Sequence, residues 1–441
     1  MALAPSTRVF RHRAYAQYWI MRQLLSGARQ MTAVALGWQA YELARLTRGV
    51  EESAFILGLI GLAQFAPVFF LSLVGGQAAD RFNRKGILVV ANLVRFGAEL
   101  GLVATVFVAG DGALPFLFAI ALVMGVVNAF TPAASNSLYP RLVPRDELPD
   151  AIAWNSLGFQ VAAILGPAAG GFLYAVGPQV VYGTAAAMVA VAIVSIATAK
   201  TPAHEPPTNA RGFQMAIDGL KYVWSNKIVF GAISLDLVVV FFGGAIALLP
   251  VFARDILHVG AEGLGWLRAA PAAGAVIVAF ALAARPLRRR VGKWMFGAIA
   301  VYGLAMLAFG LSDAFALSLA ALAVSGAADM ISVYVRQSLI QLATPDAMRG
   351  RVSSVSFIFV SASNELGEFE SGVAARFLGP VGAVMLGGGV ALAAGPVWAR
   401  LFPQLWGADA MEETPEILSS RPDRTRPANA PANRPRATTP L

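Results

Sequence analysis

Gly76-Gln77-Ala78-Ala79-Asp80-Arg81-Phe82-Asn83-Arg84-Lys85 is the stretch on which the fold turns. It separates two apolar runs, 54–79 and 86–109, each long enough to cross a hydrocarbon core about 30 Å thick, for which ~20 residues suffice. The charges of Asp80, Arg81, Arg84 and Lys85 must therefore lie in a very short loop at a membrane surface. Outward from this loop the same alternation repeats, broken at Gly, Pro and charge. It predicts twelve spans at 16–44, 54–79, 86–109, 114–138, 149–176, 179–199, 227–253, 262–284, 293–312, 314–341, 350–377 and 380–403. Composition agrees with a membrane setting: 57% of the 441 residues are hydrophobic and 13% charged, the latter about half of what soluble domains carry.

An even number of crossings puts both termini on one side, and cation bias says which. Arg8, Arg11 and Arg13, the loop at Arg81 to Lys85, Arg141 and Arg145, the 200–227 segment, Arg285 to Lys293, and Arg349 with Arg351 share one face. Arg45, Arg48 and Arg254 oppose them, so both termini are expected in the cytoplasm. That asymmetry also explains the net charge of +9 without a nucleic-acid partner. The amino-terminal arm has cations but no apolar core or cleavage site, so the first run reads as a retained helix. With no cysteine, a disulfide framework and a thiolate metal site are both excluded.

An internal repeat divides the chain. Leu142-Val143-Pro144-Arg145-Asp146-Glu147-Leu148 before the fifth span is echoed by Leu342-Ala343-Thr344-Pro345-Asp346-Ala347-Met348 before the eleventh. Arg84-Lys85 is echoed by Arg288-Arg289-Arg290 at a similar offset. The expected domains are a six-helix half at 1–199, a cytoplasmic linker at 200–226, a second six-helix half at 227–403, and a tail at 404–441 whose composition cannot build a core. Within the linker, Phe213 to Trp224 reads as an amphipathic surface helix.

The glycine of the loop, its aspartate four residues on and the paired cations resemble the signature between the second and third helices of the major facilitator superfamily of secondary transporters. The matching positions are Gly76, Asp80, Arg81, Arg84 and Lys85. Ile164-Leu165-Gly166-Pro167-Ala168-Ala169-Gly170-Gly171 in the fifth span is similar to the antiporter motif of superfamily exporters, with Gly166, Pro167, Gly170 and Gly171 as its defining residues. Trp38-Gln39-Ala40-Tyr41, Val143 to Leu148 and Arg349-Gly350-Arg351-Val352 resemble the transmembrane secretion effector branch. The resemblance implies an all-α membrane protein of twelve transmembrane helices, two six-helix pseudo-repeats around a central cavity, and a substrate site near the midplane. Two departures stand out. Asn83 replaces the usual glycine of the loop, and the fourth span lacks the arginine common in drug/proton antiporters.

Ionisable groups inside spans are costly unless paired or water-facing, which makes them site candidates. Glu365 and Glu368 fall with Ser354, Ser361 and Gly372 on one stripe of the eleventh span, facing a cavity; with Asp236 and Asp329 they are the candidate proton-coupling residues. Arg29 suits an anionic substrate or an acidic partner, and with Gln30, Asn128, Asn136, Asn155 and Asn364 makes up the candidate substrate cavity. Arg95 and Glu99, four apart, read as an intrahelical pair. No nucleotide-binding glycine loop or zinc-ligand pair is present, so an enzyme is not expected, nor is any cofactor or metal. The reading is a monomeric, proton-coupled exporter of small amphipathic molecules, siderophore-like or drug-like, working by alternating access. A facilitated importer of the same fold, or a non-transporting membrane sensor or structural partner, is the alternative.

Overall fold

A computed structural model describes residues 6–108, 110–202, 212–243, 245–287 and 289–408. They form helices joined by short turns: α1 (Arg13–Ala44), α2 (Val50–Arg81), α3 (Arg84–Thr105), α4 (Leu114–Leu138), α5 (Leu148–Val176), α6 (Pro178–Thr198), α7 (Gly212–Ser225), α8 (Lys227–Phe242), α9 (Leu249–Val251), α10 (Gly260–Ala284), α11 (Val291–Gly310), α12 (Phe315–Leu342), α13 (Asp346–Leu401) and α14 (Pro403–Trp406). Among the described residues, ten helices are long and apolar enough to cross a membrane. In each of them between 28% and 50% of the most apolar window is buried against protein. Large apolar side chains of these helices, including Phe70, Leu165, Val194, Ile277, Phe280 and Phe377, are exposed. An apolar belt of that extent requires lipid as its solvent.

Local sequence sets the joints. Asn83 caps α3, its side chain accepting from the N–H groups of Lys85 and Gly86. Its backbone is extended, so asparagine here serves as a cap and no left-handed turn is needed. The linker helix falls where amphipathicity placed it, as α7, whereas 203–211, Arg288 and 409–441 lie outside the described residues. The predicted seventh span is broken in two. The α-helix stops at Phe242 before Gly243, and the chain resumes through a 3-10 turn (Ala245–Leu248), α9 and a π-helical turn (Phe252–Ile256). The predicted eleventh and twelfth spans lie in α13 on either side of Gly379, whose φ 73°, ψ 165° is non-helical and would strain any side chain, so two helices meet there at a kink.

Helices α1 to α6 pack on one another, as do α8 to α13, and the two sets meet chiefly along α2 with α13 and α5 with α10. Both seams are made by small residues. A Cβ on Gly58 of α2 would lie 3.0 Å from the Cα of Gly372, and one on Gly171 of α5 would lie 3.0 Å from the Cα of Gly265. Small residues let membrane helices approach this closely. We call the end bearing residues 6 and 408 proximal and the other distal. At the distal end a single apolar core draws on both sets, with Leu36, Trp38, Tyr41, Leu57, Leu249, Phe252, Leu264 and Val384. Proximally each set has its own core, one around Tyr15, Tyr18 and Leu138, the other around Val229, Val335 and Leu339.

Candidate functional site

Beneath the shared distal core lies a cavity of about 140 Å³. One wall is apolar, made by Leu36, Leu57, Ile60, Met124 and Pro250; the other is polar, with Arg29, Gln30, Gln64, Arg95, Asn128, Arg268 and Glu368. The cations come from three helices: Arg29 from α1, Arg95 from α3 and Arg268 from α10. Arg95 is 6% exposed and stands 3.5 Å from Glu99, which is buried and accepts from the Thr32 hydroxyl at 2.9 and 3.0 Å. Arg268 donates to the Ala33 carbonyl at 3.5 Å. Glu368 leans onto α2 at Gly61, and Arg268 and Arg29 both act on it electrostatically.

The expected site residues fall in several places. Arg29, Gln30, Asn128 and Glu368 line the cavity. The Glu365 side chain, like those of Ser354 and Ser361, lies outside the described residues. Asn136 is near the proximal end, accepting from Arg22 at 3.5 Å. Asn155 is buried on α5 with neither amide atom partnered among the described residues, and exposed Asn364 donates to the Val360 carbonyl at 3.0 Å. Asp236 and Asp329 share a separate, smaller cavity between α8, α11 and α12 with Tyr302, Ser332 and Arg336. There Arg336 pairs with Asp236 at 2.5 Å.

Sequence reasoning misses Arg268, Gln64 and Thr32. Arg268 lies near one end of its predicted span, where a cation ordinarily reaches the interface; only its packing against α1 turns it inward. Arg95 is legible as half of a pair but not as a wall of the cavity.

The GPxxGG stretch of α5 stands at the crossing of three helices. A Cβ on Gly166 would lie 2.5 Å from the Gln30 Cβ of α1; Gly170 faces Met31 and Gly171 faces α10. Residues that line the cavity and the seam between the two sets are thus joined by one helix. The loop signature is looser. Arg84 donates to the Ala79 carbonyl at 3.3 Å and Lys85 to the Ala199 carbonyl at 2.7 Å, whereas Asp80 has no hydrogen bond or ion pair among the described residues. A Cβ on Gly76 would meet nothing within 4 Å. At the distal end, in contrast, the Tyr41 hydroxyl donates to Asp255 of the π-helical turn, Arg45 stands 3.5 Å from the same carboxylate, and Arg254 lies over the Tyr41 ring.

A family model described as transmembrane secretion effector matches residues 2–421. Enterobactin exporters of Shigella boydii serotype 4 and of Escherichia coli O139:H28 are each 26% identical over 361 residues, covering 81% of this chain and 84% of theirs. Among solved structures, a bacterial homologue of the iron transporter ferroportin in an inward-facing state superposes with a TM-score of 0.66 at 16% identity, covering 90% of this chain and 99% of that one. A D-xylose-proton symporter gives 0.67 at 12%, covering 89% and 98%.

Proposed function

Because the chain belongs to the transmembrane secretion effector family of the major facilitator superfamily, and is therefore a membrane transporter rather than an enzyme, we propose that it exports small amphipathic molecules in exchange for protons by alternating access. The observation that carries this is the cavity held between two helix sets that share a core at one end and part at the other. Such a site is exposed to one side at a time if the two sets rock about the α2–α13 and α5–α10 seams. The relatives' enterobactin points to siderophore-like or drug-like cargo.

Twelve crossings follow if α1 and the two arms of α13 about Gly379 each span the bilayer. Two six-helix repeats are supported by packing: Gly125 of α4 lies on Pro67 of α2 much as Gly326 of α12 lies on Pro271 of α10, about 200 residues later. The cation bias makes the proximal end cytoplasmic, so both termini face the cytoplasm from the inner membrane. The cavity in this state is then closed on the outer side. A monomer provides the whole site.

Proton coupling requires a carboxylate whose surroundings differ between the two states. Glu368, in the wall of the central cavity, is the first candidate, with Glu365 one turn away on α13; Asp236 and Asp329 form a second set held by Arg336. The test is accumulation of a panel of fluorescent amphipathic solutes in vesicles carrying the purified protein, with and without an imposed pH gradient. At least one solute should accumulate with the gradient, and Glu368→Gln or Glu365→Gln should retain downhill exchange while losing the response. Gradient-driven accumulation undiminished in both variants moves the coupling to Asp236 and Asp329; no accumulation of any solute by the unaltered protein rejects the function.

A further inference from the structure

Two carboxylates and one guanidinium share the smaller cavity of the second helix set. Arg336 of α12 makes its close contact with Asp236 of α8, through one carboxylate oxygen. Asp329, two turns before Arg336 on α12, makes no hydrogen bond or ion pair among the described residues. Arg336 is the cation that acts electrostatically on both acids, and no other described cation does. Ser332, between Asp329 and Arg336, lines the same cavity and is 6% exposed, yet its hydroxyl has no hydrogen bond among the described residues. That oxygen is not one of those sealed inside the protein, so it opens on the cavity. Tyr302 of α11 ties the pocket to the break in the predicted seventh span: its hydroxyl donates to the Gly243 carbonyl at 3.2 Å, which leaves the phenol oxygen able to accept.

The matching place in the first helix set is closed. Thr32 of α1 precedes Asp236 of α8 by the interval of the internal repeat, about 200 residues. There one carboxylate, Glu99, faces one guanidinium, Arg95, and accepts twice from the Thr32 hydroxyl. The second set keeps an acid and a hydroxyl unengaged around a space of about 10 Å³, which is room for one water-sized occupant. A proton held by Asp329 needs neither the space nor the Ser332 hydroxyl. Water alone would leave two acids to share one guanidinium at the depth of a membrane span. A small cation uses all of these features. Oxygen ligands select hard ions, and among the described residues no histidine or third carboxylate joins the pair, so a single positive charge suits the site better than a double one.

We infer that this pocket binds a sodium ion, with Asp329 as the charged ligand, the Asp236 oxygen that Arg336 leaves free as the second, and the Ser332 and Tyr302 hydroxyls as neutral ligands. Asp329 is exposed, which gives the ion a way in. Sites of this kind beside an interrupted helix are where secondary transporters hold coupling ions. The site stands apart from the central cavity, so it depends neither on the solute carried there nor on Glu368 taking protons.

The test is binding of radioactive sodium to the purified full-length protein in lipid nanodiscs, with choline chloride holding the ionic strength constant, alongside thermal unfolding in the same buffers. Binding should saturate at roughly millimolar sodium. The unfolding temperature should rise with sodium and not with choline, because an ion that binds only the folded state stabilises it. Asp329→Asn should weaken binding by about tenfold or more, the worth of one contact to a charged group. Ser332→Ala removes a hydroxyl that makes no structural contact, so it should fold as the unaltered protein does and bind sodium severalfold less tightly, with Ser332→Thr recovering part of the loss. It decides the matter even if Asp329→Asn does not fold. Glu368→Gln should bind sodium as tightly as the unaltered protein. No saturable sodium binding by the unaltered protein, or binding unchanged in Ser332→Ala and in a folded Asp329→Asn, overturns the inference and leaves the pocket to water. Loss of binding in Glu368→Gln alone overturns it by moving the ion to the central cavity, and displacement of sodium by calcium at a far lower concentration overturns it by making the site divalent. None of these outcomes bears on solute transport through the central cavity, whose own test is the flux assay.

Discussion

Arg95 and Glu99 show what one turn of helix can and cannot reveal. Their spacing on α3 is enough to predict the pair, and the structure holds it at 3.5 Å with Glu99 fully buried. That Thr32 completes the carboxylate's partners, and that the guanidinium forms a cavity wall, depends on how α1 packs against its neighbours, which no spacing encodes. The same is true of Arg336: it is seven residues from Asp329, yet its close partner is Asp236 on another helix. Breaking a buried pair leaves an uncompensated charge and costs about 3–5 kcal/mol, whereas replacing both members with apolar groups is close to neutral. Glu99→Ala should therefore lower the thermal unfolding temperature in detergent markedly, and Arg95→Leu with Glu99→Leu should recover most of the loss. Equal destabilisation by the single and the double change would show that the pair contributes through packing and not through charge.

The helices themselves are legible in the sequence because lipid imposes a length and a polarity on every crossing. What hydropathy cannot see is their continuity. Gly243 is weakly apolar and does not interrupt an apolar run, yet the α-helix stops before it and the backbone reaches Asp255 only through tighter and looser turns. Gly379 is the opposite case: it falls between two predicted spans, and its non-helical backbone parts α13 into two helices at a kink. The α5 motif is visible as a string of residues, while its role comes from its neighbours. A Cβ on Gly170 would lie 2.9 Å from the Met31 Cα, a backbone atom that cannot step aside. Gly170→Val should part α1 from α5, costing about 1–3 kcal/mol, and should depress transport further than stability. Gly183→Ala on α6, where nothing lies within 4 Å, is the control. Both changes should be read by unfolding temperature and solute flux, and equal flux in the two variants would remove α5 from the moving parts.

Across the whole molecule the two ends are held by different chemistry. Distally, Tyr41 and Arg45 of α1 grip Asp255, fastening the first helix set to the second over a shared apolar core. Proximally, the signature loop stands open, with Asp80 making no hydrogen bond or ion pair among the described residues. An equilibrium between two states moves only by the difference in contacts each makes. Asp255→Asn keeps the shape of the side chain but weakens a contact present in this state, worth about 1–3 kcal/mol for a hydrogen bond to a charged group. It should raise the population open at the distal end by about tenfold. Asp80→Asn removes nothing here, so if Asp80 is engaged when the proximal end closes, that variant should shift the balance the other way and slow transport without impairing insertion. The absence of native cysteine makes the measurement clean. A cysteine at Ala33 in the cavity wall, treated from the outer side with a membrane-impermeant thiol reagent, should label faster in Asp255→Asn and slower in Asp80→Asn than in the otherwise unaltered protein. Faster labelling in both would mean that the loop does not favour the outward state. No change in Asp255→Asn would mean that the apolar core alone keeps the distal end shut, with the ion pair a consequence of closure and not a cause.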